Sequence, residues 1–114
     1  MPETSLDGRA LAGLTPERIL DILKEHQTQL QALGVRSLGL FGSFRRGTPH
    51  MASDLDFLLV LQRPSFSDYM AVKFFLEDLF GRPVDLALAE SLKPRLREHI
   101  LSEVLYAEGL SPLS

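Results

Sequence analysis

The chain has no cysteine and no tryptophan among its 114 residues. Without cysteine it can form neither a disulfide framework nor a thiolate zinc site, and a reducing compartment costs it nothing structurally. It also lacks an excess of positive charge: 12 Lys and Arg stand against 15 Asp and Glu, and the basic residues are scattered. A binder of long nucleic acids releases counterions through a basic stripe, so direct binding of such polymers is not expected. No apolar run approaches membrane-spanning length, and the opening MPETSLDGRALAGL lacks the basic-then-apolar pattern of a secretory leader. The expectation is a cytoplasmic protein without membrane contact.

What is present is ordinary in bulk composition. A hydrophobic share of 45% and a charged share of 24% suit a soluble globular domain. A chain of this length builds one modest core and has no room for a separate acceptor-binding domain. A large substrate would then have to be recognised by a second chain.

Residues 1–13 mix Pro, Gly, Ser and acids without periodicity and read as a flexible lead-in. The domain is expected over 14–108, with 109–114 as a C-terminal tail. Thr15, Pro16 and Glu17 form a helix start, and Ile19, Ile22, Leu23, Leu30 and Leu33 share a face up to Gly34. Val35 to Phe41 reads as a strand that delivers the chain into GSFRRG, a turn or short helix. Leu55 to Leu61 is nearly continuous in apolar residues, as in a strand covered on both faces. Ser65 or Ser67 caps a helix through Phe80, with Met70, Phe74, Phe75 and Leu79 as the expected buried stripe. Pro83 to Leu88 reads as a third strand. Pro94 opens a last helix whose stripe is Leu96, Ile100, Leu101, Val104 and Leu105. This order predicts a small α/β sandwich, with helices packed on a mixed sheet.

The chemistry lies in three acids and a glycine turn. Asp54 and Asp56, two apart at the head of an apolar strand, leave the backbone on the same side and can share a cation. Asp85, in a strand able to pair beside that one, would bring a third carboxylate. Clustered acids repel unless a hard cation neutralises them, and oxygen ligands favour Mg²⁺ or Mn²⁺. Upstream, Gly42 and Ser43 end a strand and open a turn whose N–H groups and hydroxyl can hold a phosphate. A phosphate cradle beside an acid cluster points to phosphoryl or nucleotidyl chemistry.

LFGSFRRG followed by SDLDFLLV resembles the Gly-Ser and Asp-x-Asp pattern of the polymerase-β-like nucleotidyltransferase superfamily, and most of all its minimal, single-domain branch. PVDLALAESLKPRLREHILSEVLYAEG resembles that branch's third-acid strand and closing helix, so the likeness spans about Leu14 to Glu108. The resemblance implies the polymerase-β-like fold, with Asp54 and Asp56 as ligands of two Mg²⁺ ions and Asp85 as a ligand of the catalytic one and acceptor of a hydroxyl proton. It places Gly42, Ser43 and Arg46 on the triphosphate of ATP. Two departures stand out: the family often has Ala-Arg where this chain has Arg45-Arg46, and Thr-Pro where it has Leu88-Ala89.

The resemblance further implies an antitoxin that acts with a helical HEPN-family toxin, adding AMP to a tyrosine hydroxyl. The alternatives are transfer to a small molecule such as an antibiotic, for which a homo-oligomer would have to build the acceptor site, and a non-enzymatic binding module. Lone features receive plainer readings. His26 and His99 read as helix-surface residues, His50 as an exposed loop residue, and Phe74, Phe75 and Phe80 as core aromatics. Tyr69 and Tyr106 carry no assignment.

Overall fold

Thr15 opens the fold: its Oγ1 accepts the Arg18 N–H at 3.1 Å, and Pro16 takes the first helical position, where its missing N–H is not needed. The computed structural model of the chain describes residues 14–47 and 54–112; the lead-in over 1–13, and His50 and Ser53 of the loop before the acids, lie outside the described residues. Helix α1 spans Pro16–Glu25 and α2 Gln27–Ala32, where the sequence predicts one continuous helix. The break is at His26 (φ −111°, ψ 18°). Its ring Nδ1 lies 2.8 Å from the Ile22 carbonyl, the acceptor that its own N–H would otherwise use, and its ring meets Phe75 edge-on. His26 is therefore half-buried at a joint and not on a free helix surface.

Strand β1 (Val35–Phe41) and strand β2 (Leu55–Leu61) fall where the apolar runs place them, with the short helix α3 (Gly42–Arg46) after β1. Helix α4 (Phe66–Phe80) is capped by Ser65, whose Oγ accepts the Asp68 N–H at 3.0 Å. It leads to β3 (Val84–Leu88), a 3₁₀ turn (Ala89–Ser91), α5 (Pro94–Glu103) and a two-residue strand, β4 (Leu105–Tyr106). The sheet order is β3-β2-β1-β4. The β2/β3 pair is parallel and the other two are antiparallel, so the sheet is mixed as expected.

One face of this sheet carries the main core. Leu38 and Leu40 of β1, Phe57 and Leu59 of β2, and Leu86 of β3 cluster with helix residues that include Ile19, Leu30 and Phe44. Each fully buried side chain of this size contributes roughly 1.5–3 kcal/mol. The other face carries Gly39, Phe41, Asp56, Leu58 and Asp85, by strand alternation and register.

Two apolar stripes differ from expectation. In α4 the buried residues are Val72, Leu76 and Phe80, while Phe74 is 59% exposed. That helix has apolar residues on nearly every face, so its sequence alone does not select which side is covered. In α5 only Ile100 is buried, Leu96 and Leu101 are about half exposed, and the helix stops at Glu103. Val104 is extended, and Leu105 pairs with Leu40 instead of continuing the helix. A Cβ on Gly39 would lie 2.5 Å from Val104 Cγ2 and 3.0 Å from Tyr106 Cδ1, so glycine is what lets β4 close on β1.

The chain stays with the sheet past β4. The Leu38 N–H donates to the Leu110 carbonyl at 2.9 Å, and Leu110 is fully buried, so Gly109 and Leu110 belong to the fold and not to a tail. Among the described residues, no helix is long and apolar enough to cross a membrane.

Candidate active site

The site begins where β1 becomes α3. Phe41 is still extended (φ −138°), and Gly42 then takes φ +80°, a conformation in which an L side chain is strained. Gly42 is also the point of closest approach to Asp56. A Cβ at residue 42 would lie 2.9 Å from Asp56 Cγ, and Oδ2 is closer still. The register explains the meeting, because Phe41 pairs with Asp56 across β1 and β2.

The same register logic brings in the third acid. Asp56 is opposite Asp85 across the parallel β2/β3 pair, so the two carboxylates leave the sheet on one side as neighbours. Burial pushes the Asp56 carboxyl up to about 6; the charge of Asp85, a hydrogen bond with it and the charge of Asp54 push the same way, while Arg46 pulls down. Asp56 is half-buried, whereas Asp54 and Asp85 are exposed. Asp54, Asp56, Asp85, Gly42 and Arg46 thus occupy one neighbourhood, and Ser43 follows directly, half-buried.

Helix α3 is anchored through its middle residue. Phe44 is buried in the core, and the Arg82 guanidinium lies over its ring at 5.2 Å from the centroid. The ends of α3 are held by a residue that the sequence reading passes over, Glu103. Its Oε2 accepts the Gly42 N–H at 3.0 Å, and its two carboxylate oxygens accept Arg46 Nη1 at 3.2 and 3.1 Å. Its main-chain carbonyl accepts Arg45 Nε. Burial alone would raise the Glu103 carboxyl, but the Gly42 N–H and the Arg46 guanidinium outweigh it and hold it below the usual carboxylate range. Arg46, expected on a phosphate, therefore has Nη1 engaged with Glu103 and leaves about half of its side chain exposed.

A second unforeseen group holds the strand of Asp85. Val84 is on the outer edge of β3, and α4 takes both of its main-chain groups: Glu77 Oε2 accepts its N–H at 3.1 Å, and Lys73 Nζ donates to its carbonyl at 2.6 Å. Lys73 and Glu77 pair with each other at 3.0 Å. Tyr69 pins the same strand by donating its hydroxyl to the Leu86 carbonyl at 2.7 Å. Reading Leu105–Tyr106 as a strand paired with β1 is the signal that places Glu103 beside Gly42; reading Val104 and Leu105 as part of the helical stripe hides it. Lys73 and Glu77 show only an i, i+4 pair in sequence, a common helix-surface motif.

Hard oxygen donors that repel one another are what a divalent cation neutralises, and the donor set of Asp54, Asp56 and Asp85 fits such an ion chemically. Among the described residues, no three acidic or imidazole side chains are gathered closely enough to ligate one ion as they stand. Asp56 and Asp85 form the close pair, and Asp54 acts on Asp56 through its charge.

A family profile described as a nucleotidyltransferase domain matches residues 17–107. The chain belongs to this nucleotidyltransferase family. The chain is 39% identical over 98 residues to the protein adenylyltransferase MntA of Thermococcus cleftensis, a match covering 84% of this chain and 99% of that one. A solved structure presented as a candidate minimal nucleotidyltransferase superposes with a TM-score of 0.69 at 30% identity, over 82% of this chain and 96% of the other. A chain from the complex of a tri-AMPylated Shewanella oneidensis HEPN toxin with an MNT antitoxin shares the fold. Its TM-score is 0.56 at 14% identity, over 77% and 71% of the two chains. The family resemblance read from the Gly-Ser turn and the Asp-x-Asp strand is therefore borne out, and the protein is a nucleotidyltransferase.

Proposed function

We propose that this nucleotidyltransferase moves AMP from ATP onto a hydroxyl of a protein, that the acceptor is a tyrosine of a HEPN-type toxin, and that the protein thereby acts as an antitoxin. The observation that carries this reading is the facing pair Asp56 and Asp85 set against the Gly42-Ser43 turn. The 39% relative is named a protein adenylyltransferase, which favours a protein acceptor over a small molecule.

In this reading Asp54 and Asp56 bind divalent cations, with Asp85 as an additional ligand. Bound Mg²⁺ supplies Lewis-acid stabilisation of charge on the phosphate oxygens. Ser43 and the amides that follow it orient the triphosphate. Asp85, on the exposed side of the pair, accepts the proton of the incoming hydroxyl as that oxygen bonds to the α-phosphorus and pyrophosphate departs. The chain's own contribution is alignment and a fixed charge pattern more than covalent chemistry.

The test incubates the purified protein with α-labelled ATP, Mg²⁺ and a HEPN-type toxin, alongside Asp54→Ala and Asp56→Ala. Label on the toxin that requires both acids and disappears when the acceptor tyrosine becomes Phe supports the proposal. Label found only on small molecules would move the acceptor to that class, and toxin neutralised equally well by the acid variants would make the protein a binding module.

A further inference from the structure

Helix α3 has five residues, too few to hold an orientation by its own hydrogen bonds. Phe44 fixes its middle in the core, which leaves both ends to be set by other contacts. Those contacts converge on one residue 61 positions away in the chain. Glu103 takes the N–H at the start of α3 with its carboxylate, and the two arginines at its end with its carboxylate and its carbonyl.

The sheet dictates this arrangement. Leu40 pairs with Leu105 in the antiparallel β1/β4 ladder, so two residues further along each strand Gly42 comes beside Glu103. By then β1 has turned away into α3, and the side-chain carboxylate supplies the acceptor that a further rung would have given. The Gly42 N–H is therefore directed toward β4, while the side of Gly42 that would carry a Cβ faces Asp56. Any rotation of this turn moves Ser43 and opens or closes the space over Asp56 together.

We infer that Glu103 is a positioning residue of the nucleotide site: it latches the closing segment of the chain to the Gly42-Ser43 turn and so sets where Ser43 and Asp56 meet the triphosphate. The inference rests on the reading of that turn as the triphosphate cradle. The opposite role would be that of an internal anion occupying an amide that the triphosphate needs, and it predicts the opposite sign in a binding measurement.

The experiment measures binding of a non-hydrolysable ATP analogue in Mg²⁺ to the full chain by calorimetry, with Tm recorded for every variant. Glu103→Ala is expected to bind about 10-fold more weakly, the scale of the charge-assisted hydrogen bond that fixes the Gly42 N–H. Glu103→Gln keeps an oxygen for the Gly42 N–H and should stay within about 3-fold of wild type. A core variant such as Leu23→Val, which lowers Tm without touching the turn, should leave affinity unchanged and separates positioning from general destabilisation. If Glu103→Ala does not fold, Glu103→Asp carries the same expectation, since it keeps the charge near Arg46 but is one methylene short of Gly42. Binding by Glu103→Ala or Glu103→Asp as tight as wild type, or tighter, would overturn the inference. A wild-type protein with no affinity for the analogue would overturn the cradle reading and this inference with it.

Discussion

The Asp56 carboxylate lies over Gly42 in the space where any other residue would carry its Cβ. Two independent demands thus fall on one residue, a positive φ and an empty side-chain volume. Gly42→Ala should lose about 1–3 kcal/mol of stability from backbone strain alone. It should also lose about 100-fold or more in transfer rate, because Asp56 must rotate away from its place beside Asp85. Chemical denaturation and a single-turnover assay read the two losses separately.

Asp56 also weakens the fold at neutral pH. Its carboxyl is raised from 3.8 to about 6 in the folded protein, so the folded state holds the proton more tightly than the unfolded chain does. The stabilisation that follows is complete below about pH 3.8 and is lost as pH rises through about 6. Asp56→Asn should therefore match wild type near pH 4 and exceed it at pH 8, by about 1–2 kcal/mol once solvent screening of this half-buried group is allowed for, while having no transfer activity. Added Mg²⁺ should raise the Tm of wild type but not of the variant. Melting curves at the two pH values, with and without Mg²⁺, check both statements.

Asp85 is one of several causes of that shift, and burial is the larger one. Asp85→Ala should lower the Asp56 midpoint without returning it to the ordinary carboxylate value. A carboxyl-carbon titration by NMR distinguishes this from a full return, which would mean that repulsion and not desolvation dominates.

Glu77 is expected to matter in the opposite pH direction. The Val84 N–H and Lys73 hold its carboxyl below the usual value, so its contribution is present above about pH 4.5 and is lost as pH falls through its lowered value. Glu77→Ala should have a lower urea midpoint than wild type at pH 7, and the gap should narrow on acidification to pH 3. Transfer should fall as well, because Val84 immediately precedes Asp85.

Much of this arrangement is legible in the sequence because strand periodicity and turn residues are local signals. The boundaries of β1 and β2, the Ser65 cap and the Asp54/Asp56 spacing follow from residues close together in the chain. What escapes is set at long range. The break at His26 depends on a ring finding the Ile22 carbonyl and Phe75. Strand β4 is too short for any alternation to show, and only a neighbour with a glycine at position 39 makes room for it. Because β4 leaves no local pattern, no local signal in the sequence puts Glu103 beside Gly42 or gives Arg46 its carboxylate partner. The facing of Asp56 and Asp85 is a middle case: the spacing suggests it, and the parallel register supplies it.

The tie at Glu103 makes the glycine turn depend on a late part of the chain. Gly42 and all three acids precede residue 103, so the sequence up to that point holds every carboxylate but not the group that fixes the turn. The end of the last helix and β4 supply the tie to the turn and the sheet edge from one stretch of chain. A product cut short ahead of Glu103 would therefore carry all three acids but lack the carboxylate that holds the Gly42 turn and Arg46.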